Sequence, residues 1–304
     1  AIAEAITKLP KKEQPKRSQV FLFTTAEEQG LLGAEWYANN PVFPLEKTAA
    51  NTNHDGANFF GLTQDYGALG AERSEDTWKI VNDVSLQFSY KILKGKIGYL
   101  KIVGIAPNVD IEKESKRIRE AVIELSNKKV DKWVIDLRYN GGGNMHPMMA
   151  GIAPLIGDGI VGSLVDLKGE KQFDWEIKNG NFIYGGLQAV NLPNTPKFKK
   201  LPKIAVLTSR WTVSSGELVA TALKGRPNTR FFGEATGSYT TGNSWEIINN
   251  EAIVVISTGL FSERNGKVYE ISIPVDEEMP FEAGTEIEAD KAVIAANKWL
   301  KRKN

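Results

Sequence analysis

Ile204-Ala205-Val206-Leu207-Thr208-Ser209-Arg210-Trp211-Thr212-Val213-Ser214-Ser215-Gly216-Glu217 passes from a continuous apolar segment into a small polar turn, and a second apolar segment follows as far as Leu223. The first segment reads as a buried strand and Glu217 to Leu223 as a helix start. A serine at such a strand-to-helix turn is held at the edge of a sheet. The next backbone N–H groups and the positive end of the helix point toward any negative charge that forms there. That is the geometry an acyl-transfer nucleophile needs. A plainer reading stands beside it, because Ser and Thr are also the commonest helix N-caps.

Working outward, a second motif lies upstream. Asp136-Leu137-Arg138-Tyr139-Asn140-Gly141-Gly142-Gly143 follows the strand-like run Lys132-Trp133-Val134-Ile135. Three consecutive glycines after a buried strand allow positive φ and close backbone approach. Such a loop can aim N–H groups at an oxyanion, or can simply be a tight βα turn. A third motif, Gly233-Glu234-Ala235-Thr236-Gly237, follows another strand-like run, Arg230-Phe231-Phe232.

In this order and spacing, with Gly98-Tyr99-Leu100-Lys101-Ile102 before them and Pro274-Val275-Asp276 after, these motifs resemble the C-terminal-processing, or tail-specific, serine peptidases. The resemblance spans residues ~80–280, roughly two thirds of the chain. It implies an α/β fold of the ClpP/crotonase type, a spiral of ββα units. It implies Ser214 as nucleophile and an oxyanion hole from the backbone N–H groups of Ser215, Gly141 and Gly142. It also implies an exported protein and a peptide substrate. One departure stands out. Many members pair the serine with a lysine shortly after the Gly-Glu-Xaa-Thr turn, but no lysine lies between Gly233 and Asn250. Tyr239 stands where that lysine is expected, among Ser238, Thr240 and Thr241.

Another branch of the family takes a histidine from upstream of the core, and this chain has two histidines, His54 and His146. His146 follows the glycine loop; it is either a base for Ser214 or a polar residue on the first turn of a helix beginning near Pro147. His54 reaches Ser214 only if the N-terminal segment folds over the core. Tyr239 is the third candidate, since a tyrosine of depressed pKa accepts a serine proton. Glu270 is a candidate to orient a histidine. A serine with no base keeps its ordinary, poor nucleophilicity.

The N-terminal quarter has a different character. Ser18 to Thr25 reads as a strand, Ala26 to Ala38 as a helix, and Thr48 to Asp55 as a second strand. Glu27-Glu28-Gln29-Gly30-Leu31-Leu32-Gly33 and Asn53-His54-Asp55-Gly56, over residues ~15–70, resemble part of the binuclear zinc aminopeptidases. That resemblance implies Glu27 as general base and Glu28 and Asp55 as zinc ligands. The upstream His and Asp ligands and the downstream His of such a site are missing from this pattern. The segment is therefore expected to be a cap or scaffold piece without a metal, Glu28 and Asp55 being weak candidates to hold one. Two domains are expected, residues 1–75 and 76–304, as in a fusion of two hydrolase fragments.

The 304 residues carry 25% charged and 41% hydrophobic side chains, within the ordinary globular range, and suffice for a large core. A net charge of +1 gives no indication of a nucleic-acid or membrane partner. The absence of cysteine excludes disulfides and catalytic thiols. Ala1-Ile2-Ala3-Glu4-Ala5 carries no basic-then-apolar signal, and no apolar run is long enough for a membrane span.

Further elements follow from periodicity. Ile111 to Asn127 is a helix with Ile118, Ala121, Val122 and Leu125 on one face. Met148 to Ile156 is a second, and Ala289 to about Lys301 a last one, with Ala292, Val293, Ala296, Trp299 and Leu300 clustered. Gln172 to Pro196 is either an excursion walling a substrate site or an ordinary β-hairpin. Three functions compete on the residues alone. They are a serine hydrolase using Ser214 on a peptide or small ester without a cofactor, a metal aminopeptidase using Glu27, Glu28 and Asp55, and a non-catalytic peptide-binding module.

Overall fold

The computed structural model describes residues 87–302, except 167, 194–195 and 250–251. The chain divides into two compact units, residues 1–53 and 54–304, and the described residues belong to the second. The expected strand–helix–strand unit, with Glu27, Glu28, His54 and Asp55, lies outside the described residues.

Strand β1 (Ser89–Leu93) turns back on β2 (Ile97–Lys101), and α1 (Ile111–Asn127) leads to β3 (Lys132–Asp136). After α2 (Met145–Ile156) come β4 (Gly159–Val165), β5 (Lys171–Lys178) and β6 (Asn181–Tyr184). Then β7 (Lys203–Thr208), α3 (Ser215–Leu223) and β8 (Thr229–Gly233) complete the motif-bearing half. The remainder is β9 (Thr241–Asn249), β10 (Ala252–Glu263), β11 (Val268–Tyr269), β12 (Glu277–Glu278) and α4 (Lys291–Lys301). One sheet has the order β1-β2-β3-β7-β8-β12, with every pair from β2 to β12 parallel. The other runs β11-β10-β4-β5-β6, and β9 pairs with β10.

The parallel strands read as unbroken apolar runs because both faces are covered. Alternate residues point to opposite sides. Trp133, Ile135, Ile204, Val206 and Phe231 join the core formed with α1, α2 and α3. Val134, Ala205, Leu207 and Phe232 join a second core under α4. This is a mixed α/β architecture, and it sets both glycine-loop and serine turns at the carboxyl ends of adjacent strands, β3 and β7, where the register pairs Asp136 with Leu207.

Element bounds follow from capping. Ile111–Asn127 forms as expected, started by Asp110, whose carboxylate accepts the Lys113 N–H at 3.0 Å. Helix α2 starts earlier than Pro147, at Met145, because the Asn144 side chain accepts the His146 N–H at 3.1 Å. Proline therefore occupies the third helical position, where its missing N–H still costs nothing. Helix α4 starts at Lys291 rather than Ala289, since Asp290 is its N-cap. The Gln172–Pro196 stretch resolves into the antiparallel hairpin β5–β6. The buried Arg119 fastens that hairpin to α2, donating to Gly180 O at 2.7 Å and Gly151 O at 3.1 Å.

Candidate active site

Ser214 precedes the first residue of α3 and holds φ 52° and ψ −120°. A side chain rarely adopts this backbone, and the surrounding structure must impose it. Three neighbours do so. The Val213 N–H donates to Asn140 O at 3.0 Å, tying the serine turn to the glycine loop. The Gly237 N–H donates to Thr212 O at 2.9 Å, tying it to the third motif. The Ser214 N–H donates to the Glu217 carboxylate at 3.0 Å, the reciprocal half of a capping box.

Glu217 does more than cap. It is fully buried and also accepts from Thr236 Oγ1 at 2.5 Å, from the Ser238 N–H at 3.1 Å and from the Tyr239 N–H at 2.7 Å. Burial raises its pKa to about 7, although these donors and the Ser214 N–H each pull the other way. One carboxylate thus joins the serine turn to the Gly233–Tyr239 loop. Its role is hidden in sequence, because its partners Thr236, Ser238 and Tyr239 lie 19 to 22 positions further on. Its place three residues after a turn serine was the one available signal.

The glycine loop lies directly against Ser214. Gly142 has φ +94°, and a β-carbon there would stand 2.8 Å from Ser214 Cβ and 3.2 Å from its Oγ. Gly143, also at φ +94°, pairs with Ile105, whose carbonyl accepts the Asn144 N–H at 2.7 Å. Ser215 Oγ donates to Gly143 O at 2.5 Å, closing the loop onto the helix start. The three expected oxyanion donors differ in their engagements. The Gly142 N–H donates to the buried Asn140 side chain at 3.0 Å. The Ser215 N–H is the first of α3 and precedes the intrahelical ladder. Among the described residues no hydrogen bond engages the Gly141 N–H, and Gly141 is exposed.

Asp136 and Arg138 support this loop from below. Both are buried, and Arg138 donates to Asp136 from Nε at 3.0 Å and from Nη2 at 2.7 Å. Burial alone raises the Asp136 pKa, but Arg138 and the Tyr99 hydroxyl at 2.7 Å hold it below the usual carboxylate range. Arg138 Nη1 also donates to Asp290 at 2.6 Å, so the Asp-Leu-Arg motif is clamped to the cap of α4.

The candidate bases separate. The His146 ring packs on Phe182 at 6.0 Å and edge-on to Tyr184 at 6.2 Å, and among the described residues no hydrogen bond joins it to Ser214. Its Nδ1 is buried without a partner, and burial lowers its pKa, which is the behaviour of a packed neutral imidazole. The Asn144 side chain caps α2 at the His146 N–H, and the His146 ring lies against Phe182 and Tyr184 of β6. Tyr239 lies in the loop that Glu217 draws to the serine turn. Glu270 is exposed. Among the described residues no group of three or more His, Asp or Glu is arranged to hold a metal ion, and no helix is long and apolar enough to cross a membrane.

The model of peptidase family S41 matches residues 96–279, which contain the strand, glycine-loop, serine-turn and Thr236 elements just described. The chain belongs to peptidase family S41. The S41 region is preceded by a match of residues 1–97 to peptidase family M28. Nisin-resistance protein of Lactococcus lactis subsp. lactis is 32% identical over 168 residues, 55% of this chain and 49% of the relative. The chloroplastic carboxyl-terminal-processing peptidase 2 of Arabidopsis thaliana is 25% identical over 187 residues, 61% of this chain and 32% of the relative. A solved lipoprotein from Streptococcus agalactiae superimposes with a TM-score of 0.58 at 27% identity, covering 74% of this S41 chain and 71% of the lipoprotein. The chain thus spans 49% and 32% of the lengths of the first two relatives.

Proposed function

We propose that this S41 chain is a serine hydrolase in which Ser214 attacks a peptide or small-ester carbonyl and forms an acyl-enzyme. The observation that carries this reading is the strained Ser214 backbone, pressed against Gly142 and tied by Glu217 to the Gly233–Tyr239 loop. Strain held at one serine between a glycine loop and a helix N-terminus is the arrangement that presents an activated hydroxyl. The Ser215 and Gly141 N–H groups are the oxyanion donors in this reading, with Gly142 sharing its N–H between Asn140 and the oxyanion. The proton acceptor in this reading is Tyr239, His146 or His54. The alkoxide of an ester leaves more readily than the amine of a peptide and depends less on a strong acid, so ester turnover exceeds peptide turnover.

In the same reading residues 76–304 form the catalytic domain and 1–75 a cap or scaffold piece. The parallel order β2-β3-β7-β8 with α1, α2 and α3 supports a ClpP/crotonase-like spiral. A lipoprotein among the relatives supports an exported or envelope-associated chain.

The test is covalent labelling of the intact chain with a fluorophosphonate, read by mass spectrometry, with Ser214→Ala alongside. A single adduct on Ser214, absent in the variant, is expected. Well-folded protein that takes no adduct removes the hydrolase reading in favour of a binding module. Tyr239→Phe, His146→Ala and His54→Ala then identify the base by which of them slows labelling.

A further inference from the structure

Four segments at the amino ends of the parallel strands are cationic. They are Lys94-Gly95-Lys96, Lys128-Lys129-Val130-Asp131-Lys132, Lys197-Phe198-Lys199-Lys200-Leu201-Pro202-Lys203 and Lys298-Trp299-Leu300-Lys301-Arg302. Together they hold twelve of the chain's 38 lysines and arginines, against one carboxylate of their own, Asp131, while Glu124 at the end of α1 pairs with Lys128 at 2.6 Å. The net charge of +1 conceals this, because it sums over the whole chain.

The fold brings these segments to one end. Lys132 is in register with Ile97 on one side and Lys203 on the other. Lys203 Nζ donates to the carbonyls of Trp299 and Arg302, each at 3.2 Å, and lies 4.4 Å from the centre of the Trp299 ring. The Lys301 side chain reaches to 3.1 Å from where a β-carbon on Gly95 would stand, and Phe198 packs edge-on to Trp133 at 6.5 Å. Burial lowers the pKa of Lys203, and Lys132 and Arg302 lower it further, so these cations feel one another. Most of the others are exposed.

Helix ends do not account for so many. Helices α1, α3 and α4 end at this pole, and the C-terminal carbonyls of α2 accept from Arg226 beside it. Four C-termini supply a total of about −2 charges. That is far less than twelve cations carry. Eleven of the twelve are lysines, which are hydrated point charges rather than planar forks. Trp299, the one tryptophan of these segments, is half-buried and holds Lys203, so no aromatic platform for stacking bases is presented. Scattered point charges suit a surface whose anions move laterally to meet them.

We propose that this pole docks the protein on an anionic phospholipid surface. The occupant is the headgroup layer, and the contact is electrostatic, without insertion. Strands β3 and β7 are five and six residues long. At about 3.3 Å per residue the Ser214 turn, at their opposite ends, stands roughly 20 Å above the surface and faces away from it.

The test is co-sedimentation of the full chain with vesicles of phosphatidylcholine alone or containing roughly a third phosphatidylglycerol. Lys94→Glu/Lys200→Glu/Lys298→Glu alters the pole. Lys113→Glu/Lys116→Glu/Lys168→Glu makes the same change of charge at exposed positions away from it. The basic run at residues 8–17 is common to both and cancels. Binding to the anionic vesicles alone, lost between about 50 and 500 mM salt, is expected. The pole variant is expected to bind about 100-fold more weakly, since each lysine at such a surface is worth about fivefold, and the control variant little less than the parent. Failure of the parent to bind at low salt overturns the proposal. So does equal loss in both variants, which reports net charge alone, or a pole that selects duplex DNA over vesicles. Circular dichroism and a thermal melt confirm that each variant is folded.

Discussion

Ser214 at φ 52° and ψ −120° has a backbone that glycine adopts freely and a side chain resists. Ser214→Gly is therefore expected to melt about 2–4 °C above Ser214→Ala, although neither labels, because only glycine relieves the strain. An equal melting temperature would place the strain elsewhere. Glu217 carries a pH dependence of definite sign. Its folded pKa of about 7 lies above the ordinary 4.5, so the stability it lends is complete below 4.5 and is lost as pH rises through 7. The melting temperature is expected to fall between pH 5 and 8, and Glu217→Gln to flatten that slope. The ionised form accepts all four donors, whereas glutamine replaces one acceptor oxygen with an amino group. Labelling of Ser214 should slow by at least ~10-fold in this variant, since a displaced nucleophile loses its approach geometry. A variant that labels like the parent would show that the carboxylate positions nothing. Much of this site was legible in sequence, because Ser214, Gly142 and Thr236 sit in short motifs that follow strands. Glu217 was not, because a buried acceptor is recognised by its partners, and those come from another loop. The aromatic packing of His146 was not legible either, because Phe182 and Tyr184 come from β6, more than 30 residues further on.

At the scale of elements, apolar periodicity placed the helices well and capping moved their ends. Ile111–Asn127 stood out because its buried face and its Asp110 cap agree. The β5–β6 hairpin stayed open between two readings because its aromatics serve a hairpin and a pocket wall equally. Glycines 142 and 143 were readable as a turn, and the resemblance set Gly142 beside Ser214, but the pairing of Gly143 with Ile105 was not readable. The Asp136–Arg138–Asp290 clamp had no sequence signature, since Asp290 lies 152 residues beyond Arg138. Arg138→Leu leaves Asp136 buried beside Tyr99 without its guanidinium and is expected to cost about 3–5 kcal/mol, measured by urea unfolding. Because the Asp136 pKa is depressed in the folded state, its stabilisation is present above the ordinary carboxylate pKa and is lost as pH falls through the folded value. Acid unfolding of the parent should accordingly be steeper than that of Arg138→Leu. Matching acid curves would assign the motif a purely local role.

Across the whole molecule, charge is sorted by the direction of the strands, with lysines at their amino ends and the serine turn at their carboxyl ends. Like charges crowded at one pole repel, and salt screens them. The melting temperature should therefore rise as salt increases from about 10 to 150 mM, and rise less in the Lys94/Lys200/Lys298 variant. A parent insensitive to salt would mean that the pole is already neutralised. The clamp on Arg138 has a consequence in time. During synthesis Arg138 leaves the ribosome 152 residues before Asp290. At roughly 5–20 residues per second that is an interval of about 8–30 s. Throughout it, Arg138 lacks its second carboxylate and the last helix has no cap. The growing chain should thus pass through translation with its serine unarmed, and ribosome-bound chains stalled short of Asp290 should resist the fluorophosphonate that marks the released protein.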